Sequence, residues 1–228
     1  MSSTLQIDFC SFQAAKYAVE RWHYSKRMPK YKQVYIGVWE NGKYIGATVF
    51  GLSVTPYLGA AFGLTNTECA ELTRVALARH KAPVSKIVSY AIRKLKTHSP
   101  GLLLLVSYAD PVQGHHGGIY QAMNWIFVGE SAKVKQYYFR GQWRNDSSMG
   151  REFRRQPGMR AKTESRELPP KYKYLYPLTK AIRKKIEPLR KQYPRKICAG
   201  SKDGVAPCDQ QGEGGSIPTP ALHIGGGK

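Results

Sequence analysis

The chain has 228 residues, 42% of them hydrophobic, which suits one globular domain with a buried core rather than a disordered chain. Lys and Arg number 36 against 15 Asp and Glu, a formal net charge of +21 that predicts a polyanionic partner, because such residues displace counterions from phosphates. A membrane partner is excluded, since no apolar run reaches about 18 residues and the basic segments lack a wide apolar face. The alternative is a basic protein whose charge serves solubility alone.

The cysteines and the first residues bear on the compartment. The four cysteines are widely separated and form no CxxC pair, so neither a zinc knuckle nor a redox motif is predicted. The opening stretch, MSSTLQIDFCS, lacks a basic segment followed by an apolar one and predicts no secretion signal. We therefore expect free thiols in a reducing cytoplasm, that of the host cell.

The first half of the chain predicts a helix, a basic loop and a β-hairpin. Apolar residues recur at helical spacing over 11–22, and Ser11 is placed to cap the first turn. Two β-rich runs follow the basic loop and are joined by Asn41-Gly42, a strong hairpin signal. These runs are VYIGVWE and KYIGATVFGLS.

The next elements alternate between strands and helices. Residues 84–96 predict an amphipathic helix with Ile87, Leu95 and either Tyr90 or Ala91 facing inward. A mixed sheet with helices on its faces is therefore predicted. The remaining segments are a strand (CAELTRVALAR), a buried strand (GLLLLVSYA), a short helix (GGIYQAMNW), a strand (WIFVGES) and a last strand or hairpin (YYFRGQW).

Composition divides the chain into three parts. Residues 1–150 carry the strand and helix patterns, and 151–198 form a basic C-terminal extension. Within 171–197, ten Lys and Arg stand against one Glu, and the interleaved tyrosines predict a segment that contacts nucleic acid. A solvated basic helix is the alternative. Residues 199–228 are rich in Gly, Pro and Ser and predict a disordered tail.

One strand, loop and helix unit is typical of anion binding. The strand ELTRVAL is followed by a short loop and by a helix start, whose backbone N–H groups and dipole favour an anion. Five residues form the candidate binding set, because they supply positive charge or N–H groups at the helix start. The alternative is an ordinary turn from a strand to a helix, which has similar N–H groups. They are Arg79, His80, Lys81, Val84 and Ser85.

A second cluster of polar side chains follows the buried strand. The segment SYADPVQGHHGGIYQAMNW lies where ligand sites form in open α/β sheets, and its glycines would let a substrate approach the backbone. Asp110 is the strongest candidate, and a turn-forming Asp before Pro111 is the alternative. The polar side chains of the segment are Tyr108, Asp110, His115, His116 and Tyr120.

Two further pairs carry candidate chemistry. His23 and Tyr24 end the first helix and, with an Asp, could bind a transition metal such as iron or act as an acid and base pair. A packed surface histidine is the alternative. Glu71 and Arg74 have odd spacing and would point to opposite faces of a regular strand, unless a bulge turns both toward a cleft.

Three blocks of sequence, over most of residues 15–145, resemble one protein family. WHYSKRMP, AELTRVAL and SYADPVQGHHGGIYQAMNWIFVG are similar, in the same order, to the Mom proteins of Mu-like phages, a branch of the GCN5-related N-acetyltransferase fold. The resemblance implies a mixed, mainly antiparallel sheet with flanking helices. It also implies conversion of the N6 amino group of adenine in DNA to an acetamido (carbamoylmethyl) derivative, which shields phage DNA from restriction.

The resemblance also implies cofactors and site residues. Iron is expected with His23, Tyr24, Asp110 and Tyr120, and Arg74 is the basic residue of the central strand, with Glu71 beside it. An acyl-CoA such as acetyl-CoA is expected at the loop of residues 79–85. That loop departs from the acetyltransferase pattern R/Q-x-x-G-x-G/A, because it contains no glycine.

Two other functions remain open at this point. An acyl-CoA-dependent N-acyltransferase acting on a protein or small amine would share the fold but has no need of such basic charge. A non-catalytic DNA-binding protein would share the charge. The leading prediction has double-stranded DNA as its partner, and leaves the oligomeric state open, with a dimer among the alternatives.

Overall fold

The computed structural model describes residues 4–51 and 58–195. No helix within these ranges is long and apolar enough to cross a membrane. The segment predicted as a disordered tail, 199–228, lies outside the described residues. The strands are β1 (Leu5–Phe9), β2 (Gln33–Glu40), β3 (Lys43–Gly51), β4 (Cys69–Leu77), β5 (Leu104–Ala109), β6 (Ile126–Glu130), β7 (Val134–Phe139), β8 (Gln142–Asn145), β9 (Ser165–Leu168) and β10 (Tyr172–Pro177). The helices are α1 (Phe12–Trp22), α2 (Val84–His98), α3 (Gly118–Gln121), α4 (Asp146–Arg155), α5 (Met159–Lys162) and α6 (Lys180–Ile186).

Seven strands form the main sheet in the order β1-β2-β3-β4-β5-β10-β6. Neighbouring strands are antiparallel except β4 and β5, which are parallel. Helix α2 packs on the face that carries Leu105, whereas α6 packs on the face that carries Leu104. The predicted fold class, a mixed and mainly antiparallel sheet with flanking helices, is therefore confirmed.

The predicted first helix and hairpin are both present. The Ser11 hydroxyl accepts a hydrogen bond from the Ala14 N–H at 3.2 Å and so caps α1. The turn between β2 and β3 holds Asn41 and Gly42 at φ values of +52° and +76°, the left-handed conformation that a tight hairpin turn needs. In α2 it is Ala91, not Tyr90, that is fully buried.

The boundary predicted at residue 150 does not separate two structural units. Strand β10 lies between β5 and β6, so part of the predicted basic extension completes the main sheet. Its Tyr174 is fully buried, and the Tyr193 hydroxyl donates a hydrogen bond to the Trp125 carbonyl at 2.7 Å. These tyrosines therefore pack against the protein, which corrects their interpretation as contacts to nucleic acid.

The chain between β6 and β10 forms a second, smaller sheet. Strands β7, β8 and β9 pair in the order β8-β7-β9, and the predicted hairpin YYFRGQW is the turn from β7 to β8. We call residues 131–170 the insertion. Its two ends meet, because the Ser131 N–H donates to the Lys171 carbonyl at 2.8 Å and the Lys171 N–H donates to the Ser131 hydroxyl at 3.0 Å.

Candidate active site

Strands β4 and β5 stop pairing part-way along their length, and we call the region between their diverging ends the cleft. The two strands pair over three residue positions only, ending at Glu71 and Val106. One residue further on, the Ser107 hydroxyl donates to the Leu72 carbonyl at 2.7 Å, so a side chain bridges the strands instead of the backbone. The opening lies toward the carboxyl ends of both strands, where ligand sites are common in sheets with parallel strands.

A bulge in β4 brings two of the predicted residues to this cleft. Phe50 pairs with Leu72 and Val49 pairs with Arg74, which leaves one extra residue on β4. Burial raises the pKa of the Tyr31 phenol, Glu71 raises it further and Arg74 lowers it, so both charged groups lie near that phenol. The bulge expected from the odd spacing is therefore present.

His23 directly follows α1 and is buried. Its Nδ1 accepts a hydrogen bond from the Ser25 N–H at 3.1 Å, which assigns the ring proton to Nε2 in the neutral form. Burial, followed by the positive charge of Arg74 and then His115, lowers the pKa of His23 to about 3. The ring is therefore neutral near pH 7 and offers an Nε2–H donor.

Tyr24 lies at the rim of the cleft with 46% of its surface exposed. Its ring centre is 4.3 Å from that of His23 and 5.5 Å from that of His115. The Tyr24 phenol also contributes to the raised pKa of Tyr120, so the two phenols are neighbours. An exposed ring held between two imidazoles offers a flat surface on which a base could stack.

Tyr120 lies at the floor of the cleft. Because Ser107 donates to a carbonyl, the Tyr120 hydroxyl must donate to the Ser107 oxygen, 2.7 Å away. Burial raises the pKa of Tyr120 to about 12, with smaller contributions from Tyr24 and Glu71. Tyr120 is therefore a neutral phenol with its proton committed to Ser107.

Asp110 follows β5 and is held on both carboxylate oxygens. Oδ1 accepts from the Val112 N–H at 3.1 Å, as expected for a turn-forming Asp before Pro111. Oδ2 lies 3.0 Å from the ammonium group of Lys171. Lys171 in turn contributes to the lowered pKa of His23, which places Asp110 at the same cleft.

The structure thus brings all six predicted catalytic side chains near one another at the cleft, as their ring contacts, ion pair and electrostatic effects on one another's surroundings indicate. They come from the end of α1 (His23, Tyr24), from β4 (Glu71, Arg74), from the end of β5 (Asp110) and from α3 (Tyr120).

Three of the four residues predicted to hold iron have polar atoms engaged within the protein. Asp110 is committed to Lys171 and a backbone N–H, the His23 Nδ1 lone pair is used by Ser25, and Tyr120 keeps its proton. Across residues 4–51 and 58–195, no group of three or more His, Cys, Asp or Glu could bind a metal ion. We therefore derive no step that passes through iron.

The loop predicted to bind acyl-CoA has its N–H groups hydrogen-bonded within the protein. The Glu40 carboxylate accepts hydrogen bonds from the N–H groups of Lys81 and Ala82 at 2.9 and 2.8 Å. A phosphate at this turn would lie beside that carboxylate and be repelled. The ring of His80 bonds to the Ala78 carbonyl, so it too is engaged within the loop. The expected phosphate site does not fit this arrangement.

Sequence reasoning missed two groups at these sites and misread a third. Glu40 and Lys171 gave no local signal, because each meets its partner only through the fold. Gly117 was expected to let a substrate approach, but a Cβ at this position would lie 2.4 Å from the ring of Tyr174. The missing side chain makes room for Tyr174, not for a ligand.

Fold and cleft define a strongly basic α/β protein whose candidate site opens between two parallel strands. The chain belongs to the Mom protein family, because the sequence model of that family matches residues 4–195. It is 27% identical over 194 residues to the methylcarbamoylase Mom of Escherichia phage Mu, covering 81% of this chain and 80% of the relative. The expected family is therefore confirmed.

Comparison with solved structures gives more distant likenesses. An N-acetyltransferase from Staphylococcus aureus Mu50 is 13% identical and has a TM-score of 0.43, covering 78% of this chain and 100% of that one. The yncA structure from Salmonella typhimurium, which contains its cofactor acetyl-CoA, is 12% identical and has a TM-score of 0.44, covering 77% and 95%.

Proposed function

We propose that this protein is a DNA-modifying enzyme that converts the N6 amino group of adenine in double-stranded DNA to an acetamido (carbamoylmethyl) derivative. The modification would act in the host cytoplasm and protect phage DNA from restriction. The observation that carries the proposal is the convergence of six polar side chains in one cleft of a chain with net charge +21. Family membership supports it, since the phage Mu relative is named a methylcarbamoylase.

Access to the target atom sets the first requirement. Because N6 lies inside the duplex, the adenine must leave the base stack before it can react. Tyr24, exposed at the rim and held against His23, offers a ring on which the extruded base would stack. The Nε2–H of neutral His23 would donate to a ring nitrogen of the adenine, and the low pKa keeps that donor neutral.

Glu71 is the proposed proton acceptor. Its carboxylate lies near three phenols of the cleft, since Glu71 raises the pKa of Tyr31, Tyr108 and Tyr120. The donor must be a carbamoylmethyl compound, with a leaving group on the methylene carbon beside the amide. In the transfer step N6 forms a bond to that methylene carbon, the bond from this carbon to the leaving group breaks, and one N6 proton passes to the Glu71 carboxylate. The leaving group of the donor departs with the bonding electron pair, near the positive charge of Arg74.

The donor of the transferred group is a separate question. Acyl-CoA is the donor that the family resemblance implies, but Glu40 holds two N–H groups of the loop where its phosphates were expected. We therefore leave acyl-CoA out of the proposed route. An N-acyltransferase of a protein or small amine gains no support from the charge, which suits a phosphate backbone.

The proposal is tested by mass spectrometry of nucleosides from DNA of cells that express the chain. We expect a deoxyadenosine derivative in which a carbamoylmethyl group (–CH2–CO–NH2) replaces one hydrogen of N6. DNA with unmodified adenine, together with an acylated protein or small amine in the same cells, would favour the alternative.

A further inference from the structure

The insertion has one covered face and one open face. On the covered face, the buried ring of Tyr137 packs on Phe153 of α4 at 4.8 Å, and Met149 is fully buried. Since side chains alternate along a strand, Gln136 and Tyr138 point to the opposite face of β7. Their paired residues share that face, because Tyr138 lies opposite Trp143 and Gln136 lies opposite Arg166.

The open face holds a cluster of flat groups, in which two aromatic rings are tilted by 58° and a guanidinium lies over one of them. The rings of Tyr138 and Trp143 are 5.4 Å apart, and the Arg166 guanidinium lies over the Trp143 ring at 4.2 Å. Arg166 Nε also donates to the Gln136 side chain at 2.9 Å, which fixes the orientation of the guanidinium. Tyr138 remains 45% exposed, so part of this aromatic surface faces solvent.

The charge of the insertion complements nucleic acid. Residues 131–170 contain ten Lys and Arg against four Asp and Glu. The two ends of the insertion lie at the candidate active site. Lys171, the residue that follows the insertion, is hydrogen-bonded to Ser131 and also pairs with Asp110. A partner of this surface must therefore be anionic, carry flat groups that stack, and reach the cleft.

We propose that the open face of the insertion, formed by Gln136, Tyr138, Trp143 and Arg166, binds unpaired nucleotides by stacking on their bases. Aromatic and guanidinium surfaces stack on bases irrespective of sequence, whereas the bases of an intact duplex are closed to them. The inference deepens the proposed function, on which it rests: the open face would hold nucleotides released when the target adenine leaves the duplex.

Binding of the full chain to two probes tests the inference without any modification step. The probes are a thymidine oligonucleotide and an abasic oligonucleotide of equal length, which has the same phosphates and no bases. Because stacking on each base contributes substantially, we expect the protein to bind the thymidine probe at least about tenfold more tightly. In the double variant Tyr138→Leu/Trp143→Leu this preference should fall at least about threefold, and only the contribution of Tyr24 at the cleft should remain.

The control is Tyr17→Leu, which removes an aromatic ring of similar exposure (49%) that also lies near an arginine and a tryptophan. It should keep the preference for thymidine. If the double variant melts early, Arg166→Gln replaces it, since this exposed side chain can change without disturbing the strands, and it should reduce the preference.

Two binding results would overturn the inference: equal binding of both probes by the unaltered protein, or an unchanged preference in a folded variant of the open face. Since neither probe contains adenine, failure of the proposed function would leave this binding result intact. Conversely, an undiminished level of modified adenine in DNA from cells that express the double variant at the normal level would refute the proposed role of the open face and leave the proposed function standing.

Discussion

The Glu40 Oε1 atom lies 2.8 Å from the backbone nitrogen of Ala82. A side chain at the end of β2 therefore accepts a hydrogen bond from the turn that leads into α2. Glu40→Ala leaves the part-buried N–H group of Lys81 and the buried N–H group of Ala82 without this acceptor. We expect the free energy of unfolding to fall by about 1–3 kcal/mol in urea denaturation. Glu20→Ala, at an exposed position of α1, is the control and should change it by less than about 0.5 kcal/mol. Equal effects would show that Glu40 does not stabilise the turn.

His23 predicts a pH dependence of stability. Its pKa is lowered from 6.5 to about 3 in the folded chain, so between these values the unfolded chain binds one more proton. The free energy of unfolding should therefore fall on acidification below pH 6.5, by up to about 1.4 kcal/mol per pH unit. His23→Asn, which keeps an acceptor for Ser25, should remove this slope, and the exposed His98→Asn should retain it. The same slope in both variants would contradict the account.

Two glycines of one loop should respond differently to alanine. Gly117 and Gly114 both have positive φ, +89° and +70°, so each substitution carries backbone strain of about 1–2 kcal/mol. Only at Gly117 does the added Cβ meet Tyr174, whereas nothing lies within 4 Å of a Cβ at Gly114. Thermal unfolding should show Gly117→Ala to be clearly the less stable variant. Similar melting temperatures would mean that Tyr174 does not fill this position.

Asp110 caps a turn and pairs with Lys171, and Asp110→Asn separates these two contributions. Asparagine is as good a cap as aspartate but has no charge, so stability should change by less than about 1 kcal/mol. Modified adenine in cellular DNA should nevertheless fall at least about tenfold, because a general acid–base site depends on its charges. Asp8→Asn, which removes the surface ion pair with Lys94, is the control and should keep full activity. A fully active Asp110→Asn would leave Asp110 a turn residue only.

The parts of the fold that sequence predicted are those with local signals. Asn41-Gly42 identifies its hairpin because few residues adopt two successive left-handed conformations. The spacing of buried residues identifies α1 and α2 for a similar reason, since it depends only on the helical repeat. Glu71 and Arg74 could be assigned to one cleft only by supposing a bulge, which no residue of β4 signals on its own.

The parts that sequence could not predict depend on contacts between distant residues. Strand β10 lies between β5 and β6 although the whole insertion separates it from β6, and its basic composition indicated an exposed segment. The Glu40 carboxylate replaces an expected phosphate, and Lys171 engages an expected metal ligand. Each changes the chemistry of its site, yet neither lies near its partner in the chain.

The most direct test of the central claim is the fraction of modified adenine in DNA from cells that express Glu71→Gln. The amide has nearly the shape of the carboxylate but cannot accept the N6 proton, so the account predicts a loss of at least about a hundredfold. Glu20→Gln, on the exposed surface of α1, should modify adenine as the unaltered chain does. Undiminished modification by a folded Glu71→Gln protein would contradict the assignment of this cleft as the active site.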